Sequence, residues 1–289
     1  RAKILNYGTF SARYGNLYTA RQLIQLFERA YDELHPVDNV WSRRDGKYVD
    51  PFRPGIEPTG FATEKQVELS RETHLSAVRK MFEELDVFIF TLGLTETWKS
   101  NIDGAVFPVA PKVVTDSIEI SQYSFINFSS LDVKNDLLKF MQMLNKKNPT
   151  ARMILTVSPV PLMRTYEDRS VVTSTCYSKS ALRVAAEEVC QSEPNIAYFP
   201  SYEIICGHFS RGSYFGSDLR NVTQRGVDHV MRLFLAHYGN NKLTAPEISR
   251  DWETIFDVVC DEEQAQPLIG LQHPAFSPDD DTPPLMSMT

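Results

Sequence analysis

Residues 87–98 read Val87-Phe-Ile-Phe-Thr91-Leu-Gly93-Leu-Thr95-Glu96-Thr-Trp98, an apolar run that breaks at a glycine into polar side chains. An unalternating run of β-branched and aromatic residues marks a strand buried on both faces, as in a parallel sheet. In open α/β sheets, ligands bind outside the carboxyl ends of such strands. Gly93 lets the backbone turn sharply there, and Thr95 and Glu96 then face whatever binds. The competing reading is an ordinary strand-to-loop turn with a surface glutamate.

The rest of the chain supplies partners for that strand. Leu23, Ile24, Phe27, Ala30 and Tyr31 recur at helical spacing behind Thr19, which can cap the helix. Residues 40–60 are rich in proline, glycine and aromatics (Trp41, Tyr48, Phe52) and predict an ordered excursion, since a flexible linker carries few large rings. A long helix is predicted from about Thr63, with Val67, Leu75, Val78, Phe82 and Leu85 on one face. Residues 101–128, with Pro108 and Pro111, read as irregular, and residues 131–144 as helix. A second strand covers 152–157 and ends at Ser158-Pro-Val-Pro161. Helix 178–190, with Ser178 as its N-cap, leads to a short strand at 196–199, and a closing helix spans 223–237. Strands alternating with helices predict right-handed βαβ units: an α/β fold with a mainly parallel sheet, residues 87–91 central and helices on both faces. Residues 1–240 form the folded domain in this reading. Residues 241–289 supply one more helix near 247–259 and an acidic, proline-rich tail too poor in apolar residues to order itself.

Charge and composition narrow the function. A net charge of -7 argues against nucleic acid, which needs a concentrated basic face. No stretch approaches the ~18 apolar residues of a membrane span. Cys176, Cys190, Cys206 and Cys260 are widely spaced and read as reduced thiols of a cytoplasmic protein. Arg1 stands where a methionine would begin the chain, so the sequence leaves the question of a leader open. Six scattered histidines show no metal-ligand spacing, so neither a metal nor another cofactor is expected.

Every predicted strand end carries polar residues on one common edge: Thr95 and Glu96, then Ser158, then Ser201, Tyr202 and Glu203. The loop before the last helix adds Ser217-Asp218-Leu-Arg-Asn221. Convergence of this kind is the layout of an α/β active site. Several words stand out in order. They are Asn6-Tyr-Gly-Thr-Phe-Ser-Ala-Arg-Tyr-Gly-Asn16, Thr91-Leu-Gly-Leu-Thr-Glu-Thr-Trp98, Leu155-Thr-Val-Ser-Pro-Val-Pro-Leu162, Tyr177-Ser-Lys-Ser-Ala-Leu-Arg183, Tyr198-Phe-Pro-Ser-Tyr-Glu-Ile204 and Gly226-Val-Asp-His-Val-Met231. Together they resemble the GSCFA domain family, within the SGNH hydrolase-like group. The resemblance implies a three-layer sandwich with flavodoxin-like strand order. It also implies a serine nucleophile in a Gly-Ser-Cys-Phe-Ala word after the first strand. That word is absent, and Gly8-Thr-Phe-Ser11-Ala lies in the block that follows it in relatives, so the sequence is read as N-terminally truncated and missing that strand.

A second departure concerns the base. SGNH enzymes carry an Asp-x-x-His word before the last helix, and here Asp218-Leu-Arg-Asn221 puts Asn221 at the histidine position. A serine hydroxyl needs a base within hydrogen-bond reach. His229 projects from the face of its helix opposite the buried stripe, and His208 lies in a loop, so His74 at the margin of its helix's apolar stripe is the preferred histidine. Glu96 is the other solution, as a carboxylate whose pKa burial raises; a glutamate that merely fixes its loop is the bland alternative. Asp218 would orient or replace the base, or else serve only as a cap or turn residue. By the resemblance, Gly93, Thr95, Asn16 and Ser158 line the oxyanion or substrate side. Pro159 has no N–H, which makes Ser158 a poor nucleophile. The implied activity is on an O-acyl ester of a carbohydrate, chiefly acetyl, as esterase or acyltransferase. The alternative is a non-catalytic domain that binds a glycan or a partner, with the aromatic residues of 40–60 as a stacking surface. The sequence leaves the oligomeric state open.

Overall fold

The computed structural model describes residues 13–239. Thr19 caps helix α1 (Ala20–Ala30): its hydroxyl accepts the Gln22 N–H, and the Gln22 side chain accepts the Thr19 N–H in return. The excursion after α1 carries strands β1 (Trp41–Ser42) and β2 (Tyr48–Val49), paired antiparallel. Helix α2 (Glu64–Glu84) is capped by Thr63 and delivers the chain into β3 (Val87–Leu92). Then come β4 (Glu96–Ser100), β5 (Val106–Phe107), the short helix α3 (Pro111–Val114) and β6 (Tyr123–Asn127). Helix α4 (Ser130–Lys147), strand β7 (Arg152–Val157), helix α5 (Val171–Ser192) and strand β8 (Ile196–Tyr198) follow. Helices α6 (Ser201–Cys206) and α7 (Gln224–Tyr238) close the described chain.

The principal sheet is parallel, in the order β3-β7-β8, with Val87 opposite Arg152 and Met153 opposite Ile196. One face is covered throughout. Phe90, Leu92, Met153, Leu155 and Val157 pack with Phe27 of α1, Phe82 of α2, Phe140 of α4 and Leu182 of α5. The rings of Phe27, Phe82 and Phe140 meet at centroid distances of 5.2 to 6.1 Å, largely edge to face. Each such contact adds about 0.5–1.5 kcal/mol beyond the burial itself.

Four expectations change here. Among the described residues, β7 is the central strand and β3 lies at the sheet edge. Val87, Ile89 and Thr91 are exposed on the face away from the core, so β3 is not buried on both faces. On that face Thr156 meets Ser201 at the start of α6, but among the described residues nothing comparable covers β3. Residues 101–128 are not irregular: β4 pairs with β5 and with β6 in a separate antiparallel sheet. Of its outer strands, β5 has only two residues and runs straight into Pro108, which hid it from periodicity. Helix α5 begins at Val171, capped by Ser170, so Ser178 sits inside the helix, where its hydroxyl accepts the Thr95 N–H at 3.0 Å. The helix expected near 247–259, the tail and Cys260 lie outside the described residues. Cys176, Cys190 and Cys206 are free thiols.

The excursion after α1 turns its rings inward. Trp41 and Phe52 are buried with Phe107 and Tyr123 in a second core, which removes them as a stacking surface. Beside that core the Asp50 side chain is wholly buried, with Arg53 at 3.0 Å, Arg71 at 3.4 Å and Arg29 at 3.9 Å. Burial alone would raise its carboxyl pKa, but the guanidiniums of Arg53, Arg29 and Arg71 hold it far below the usual carboxylate range. Asp50→Asn therefore strands buried cations and should cost about 3–5 kcal/mol in a urea unfolding curve. Because the native pKa is depressed, this contribution is complete at neutral pH. The gap between the two proteins should close only as acid protonates Asp50, below the ordinary carboxylate pKa.

Candidate functional site

At the end of β3 the chain leaves one sheet for another within three residues. The Gly93 and Leu94 N–H groups both donate to the Tyr18 carbonyl, at 2.9 and 3.1 Å. A Cβ on Gly93 would lie 3.2 Å from the Tyr18 Cα and carbonyl oxygen, so glycine is needed for close approach of two backbones rather than for a left-handed turn. The Gly93 carbonyl accepts from the buried Lys179 ammonium at 2.7 Å. Thr95 is fully buried; its hydroxyl donates to Asn127 Oδ1 at 2.6 Å, and Asn127 Nδ2 donates to Glu167 at 2.9 Å. The polar groups of Gly93 and Thr95 are thus spent on holding the crossover. Neither presents an unengaged donor to an oxyanion.

Glu96, the first residue of β4, opens into a cleft at the carboxyl edge of the parallel sheet. The cleft is open to solvent and offers a cavity volume of about 80 Å³, and Ser158 and Tyr18 also line it. Thr165 Oγ1 donates to Glu96 Oε1 at 2.7 Å. Burial raises the Glu96 pKa, helped by the negative charge of Glu167, and this outweighs the hydrogen bonds from Thr165 and the Tyr166 backbone together with the positive charge of Arg169. Beside it, on the same strand face, stands an aromatic wall of Trp98, Phe125 and Tyr166, with Trp98–Tyr166 centroids 5.0 Å apart at 88° and Phe125–Tyr166 5.7 Å apart. Trp98 Nε1 is buried and has no hydrogen-bond partner among the described residues. Arg164 and Arg220 complete the lining. Ser158 Oγ accepts the Val160 N–H at 3.2 Å, a local turn contact.

The remaining sequence candidates lie elsewhere or are otherwise occupied. Asp218 is exposed, not shielded as expected. Its carboxylate accepts from the Arg220 and Asn221 N–H groups, both at 3.0 Å, and from Asn221 Nδ2 at 2.7 Å. Those bonds from Arg220 and Asn221 lower its pKa and make it a turn aspartate. The loop reaches the cleft through Arg220 instead. His74 is buried, edge-on to Tyr14, and lines a separate interior cavity. Asn16 is half-buried and does not line the cleft. His208 is exposed, and His229 Nδ1 pairs with the Tyr214 hydroxyl at 2.5 Å. Sequence reasoning missed Trp98, Phe125, Tyr166, Arg164 and Arg220. The alternation of β4 could have exposed Trp98, which shares a face with Glu96 two residues before it. Nothing local signals the rest, because Arg164 and Tyr166 belong to the irregular segment before α5 and enter the cleft only through tertiary folding.

The fold defines an α/β domain, and its strand-end cleft lies where ligands usually bind in that class. More particularly, the chain belongs to the GSCFA family, whose model matches residues 2–234. No curated protein matches the chain. Among the described residues no group of His, Cys, Asp and Glu is arranged to hold a metal ion, and no helix is long and apolar enough to cross a membrane.

The close approach at Gly93 makes a direct test of the crossover. Gly93→Ala forces Tyr18 and Gly93 apart by a few tenths of an ångström and should cost about 1–3 kcal/mol. Thermal unfolding measures it; an unchanged melting temperature would show that the crossover adjusts without strain.

Proposed function

We propose that this domain acts on O-acyl esters of a carbohydrate, chiefly acetyl esters, as an esterase or acyltransferase of SGNH-like architecture. The observation that supports this reading most is the pairing of Glu96 with the aromatic wall of the cleft. Flat aromatic faces suit the C–H faces of sugar rings, and a few fixed polar groups then set orientation. The buried Trp98 N–H is a donor in search of an acceptor, which a sugar hydroxyl or an acyl carbonyl supplies. Glu96 is held by Thr165, and burial brings its pKa closer to working pH, which suits a general base. The nucleophile in this reading is the serine that the family resemblance implies in a Gly-Ser-Cys-Phe-Ala word.

A second reading, a domain that binds glycans without turnover, draws on the dispersal of the other candidates. Asp218 is consumed by its own loop, His74 lines a different cavity, and the donors of Gly93 and Thr95 are engaged. The two readings separate on the full-length protein offered acetylated glycans. If the first holds, acetate is released, and Glu96→Gln lowers kcat by about 10²–10⁴ with little change in binding. The rate of the unsubstituted protein should climb with pH through a Glu96 pKa above the ordinary ~4.3, because only the ionised carboxylate accepts the proton. Trp98→Ala should weaken binding in either reading. Binding without acetate release selects the second, and the absence of both sinks the cleft assignment.

A further inference from the structure

Between α1 and the excursion lies an interior cavity lined by Gln22, Arg29, Phe52, Arg53 and His74, among others. It is sized for about one water-like body. Its charge is unbalanced: three guanidiniums, of Arg29, Arg53 and Arg71, gather on the single carboxylate of Asp50. Two of the three are fully used. Arg53 donates to Asp50, to the Arg13 carbonyl and to Ser70, and Arg71 donates to Asp50 and to Asn39. Arg29 is different. Its closest approach to Asp50 is 3.9 Å, its side chain is 5% exposed, and its buried Nη2 makes no hydrogen bond to the described residues. The Phe52 ring lies 3.9 Å from its guanidinium carbon, a contact that compensates the charge only in part.

Gln22 points the same way. Its Oε1 accepts the N–H groups of Tyr18 and Thr19, at 2.8 and 2.9 Å, in the cap of α1. That bond pattern fixes the amide orientation, so Nε2 is the free end. Gln22 is 4% exposed and Nε2 has no partner among the described residues. Two residues that each carry such a buried donor therefore line one cavity, in a region with more positive than negative charge. A water molecule would satisfy donors but leave the charge unbalanced.

We propose that this cavity binds a single small inorganic anion, with chloride as the physiological type, between Arg29 Nη2 and Gln22 Nε2. The anion would tie α1 to the excursion that carries Asp50, Phe52 and Arg53. Its site is separate from the Glu96 cleft, although Pro108 contributes to the walls of both.

The test uses bromide as a heavier stand-in. Crystals of the protein grown in sodium bromide should show one anomalous peak within hydrogen-bond reach of Arg29 Nη2 and Gln22 Nε2. In solution, chloride should raise the melting temperature by about 2–4 °C over gluconate at equal ionic strength. Gln22→Glu keeps the oxygen that caps α1 and places a carboxylate beside Arg29. This variant should therefore lose both the bromide peak and the dependence on chloride. Water without bromide in the cavity of the unsubstituted protein overturns the proposal, as do equal melting temperatures in the two salts. Should Gln22→Glu fail to fold, the bromide experiment on the unsubstituted protein decides alone.

Discussion

The Tyr18 carbonyl is the hinge pin of this domain. It accepts two consecutive backbone N–H groups, from Gly93 and Leu94, at the point where the chain passes from the parallel sheet into the antiparallel one. A buried chain crossing between sheets would otherwise leave those donors unsatisfied, at a cost of about 1–3 kcal/mol each. Lys179 and Ser178 of α5 complete the fixation by binding Gly93 O and Thr95 N. One residue ahead of α1 and one turn of α5 thus set the direction in which β4 departs. That direction carries Glu96 and Trp98 into the cleft.

Much of the scaffold was legible from the chain itself. Strand 152–157 was read at its true bounds, and the caps at Thr19 and Thr63 and the start after Thr223 fall where short polar side chains precede periodic apolar runs. What failed was whatever depends on neighbours distant in sequence. The apolar run at 87–92 looks doubly buried, yet Ile89 is 52% exposed, because burial depends on which element lies alongside. The rings of residues 40–60 looked like a surface for ligands and instead fill a core with Phe107 and Tyr123, since aromatic composition carries no direction.

The site divides along the same line. Glu96 was found because a carboxylate at a strand end is a local pattern, and its place in the cleft follows from that pattern. Gly93 was singled out for turning, whereas its service is to admit the Tyr18 backbone. Thr95 and Asp218 are the residue types an acyl-transfer site would use, but side-chain type does not reveal prior engagement. Asn127 occupies the one, and the Asp218 carboxylate is taken up by its own loop. Polar residues near a cleft are as often its masonry as its tools.

The loop from 215 to 222 is self-contained. Phe215 and Val222 bridge its base, the Gly216 N–H donates to the Asn221 carbonyl, and Asp218 binds the turn from within. Its tip holds Leu219, 76% exposed with φ +55°, followed by Arg220 at the cleft. Such a loop behaves as a detachable fitting. Its backbone is held largely by its own hydrogen bonds, so Leu219 at the exposed tip can be exchanged at little cost to the sheets beneath. The charge at the mouth of the cleft is therefore the property of this domain that evolution or an engineer can rewrite most cheaply.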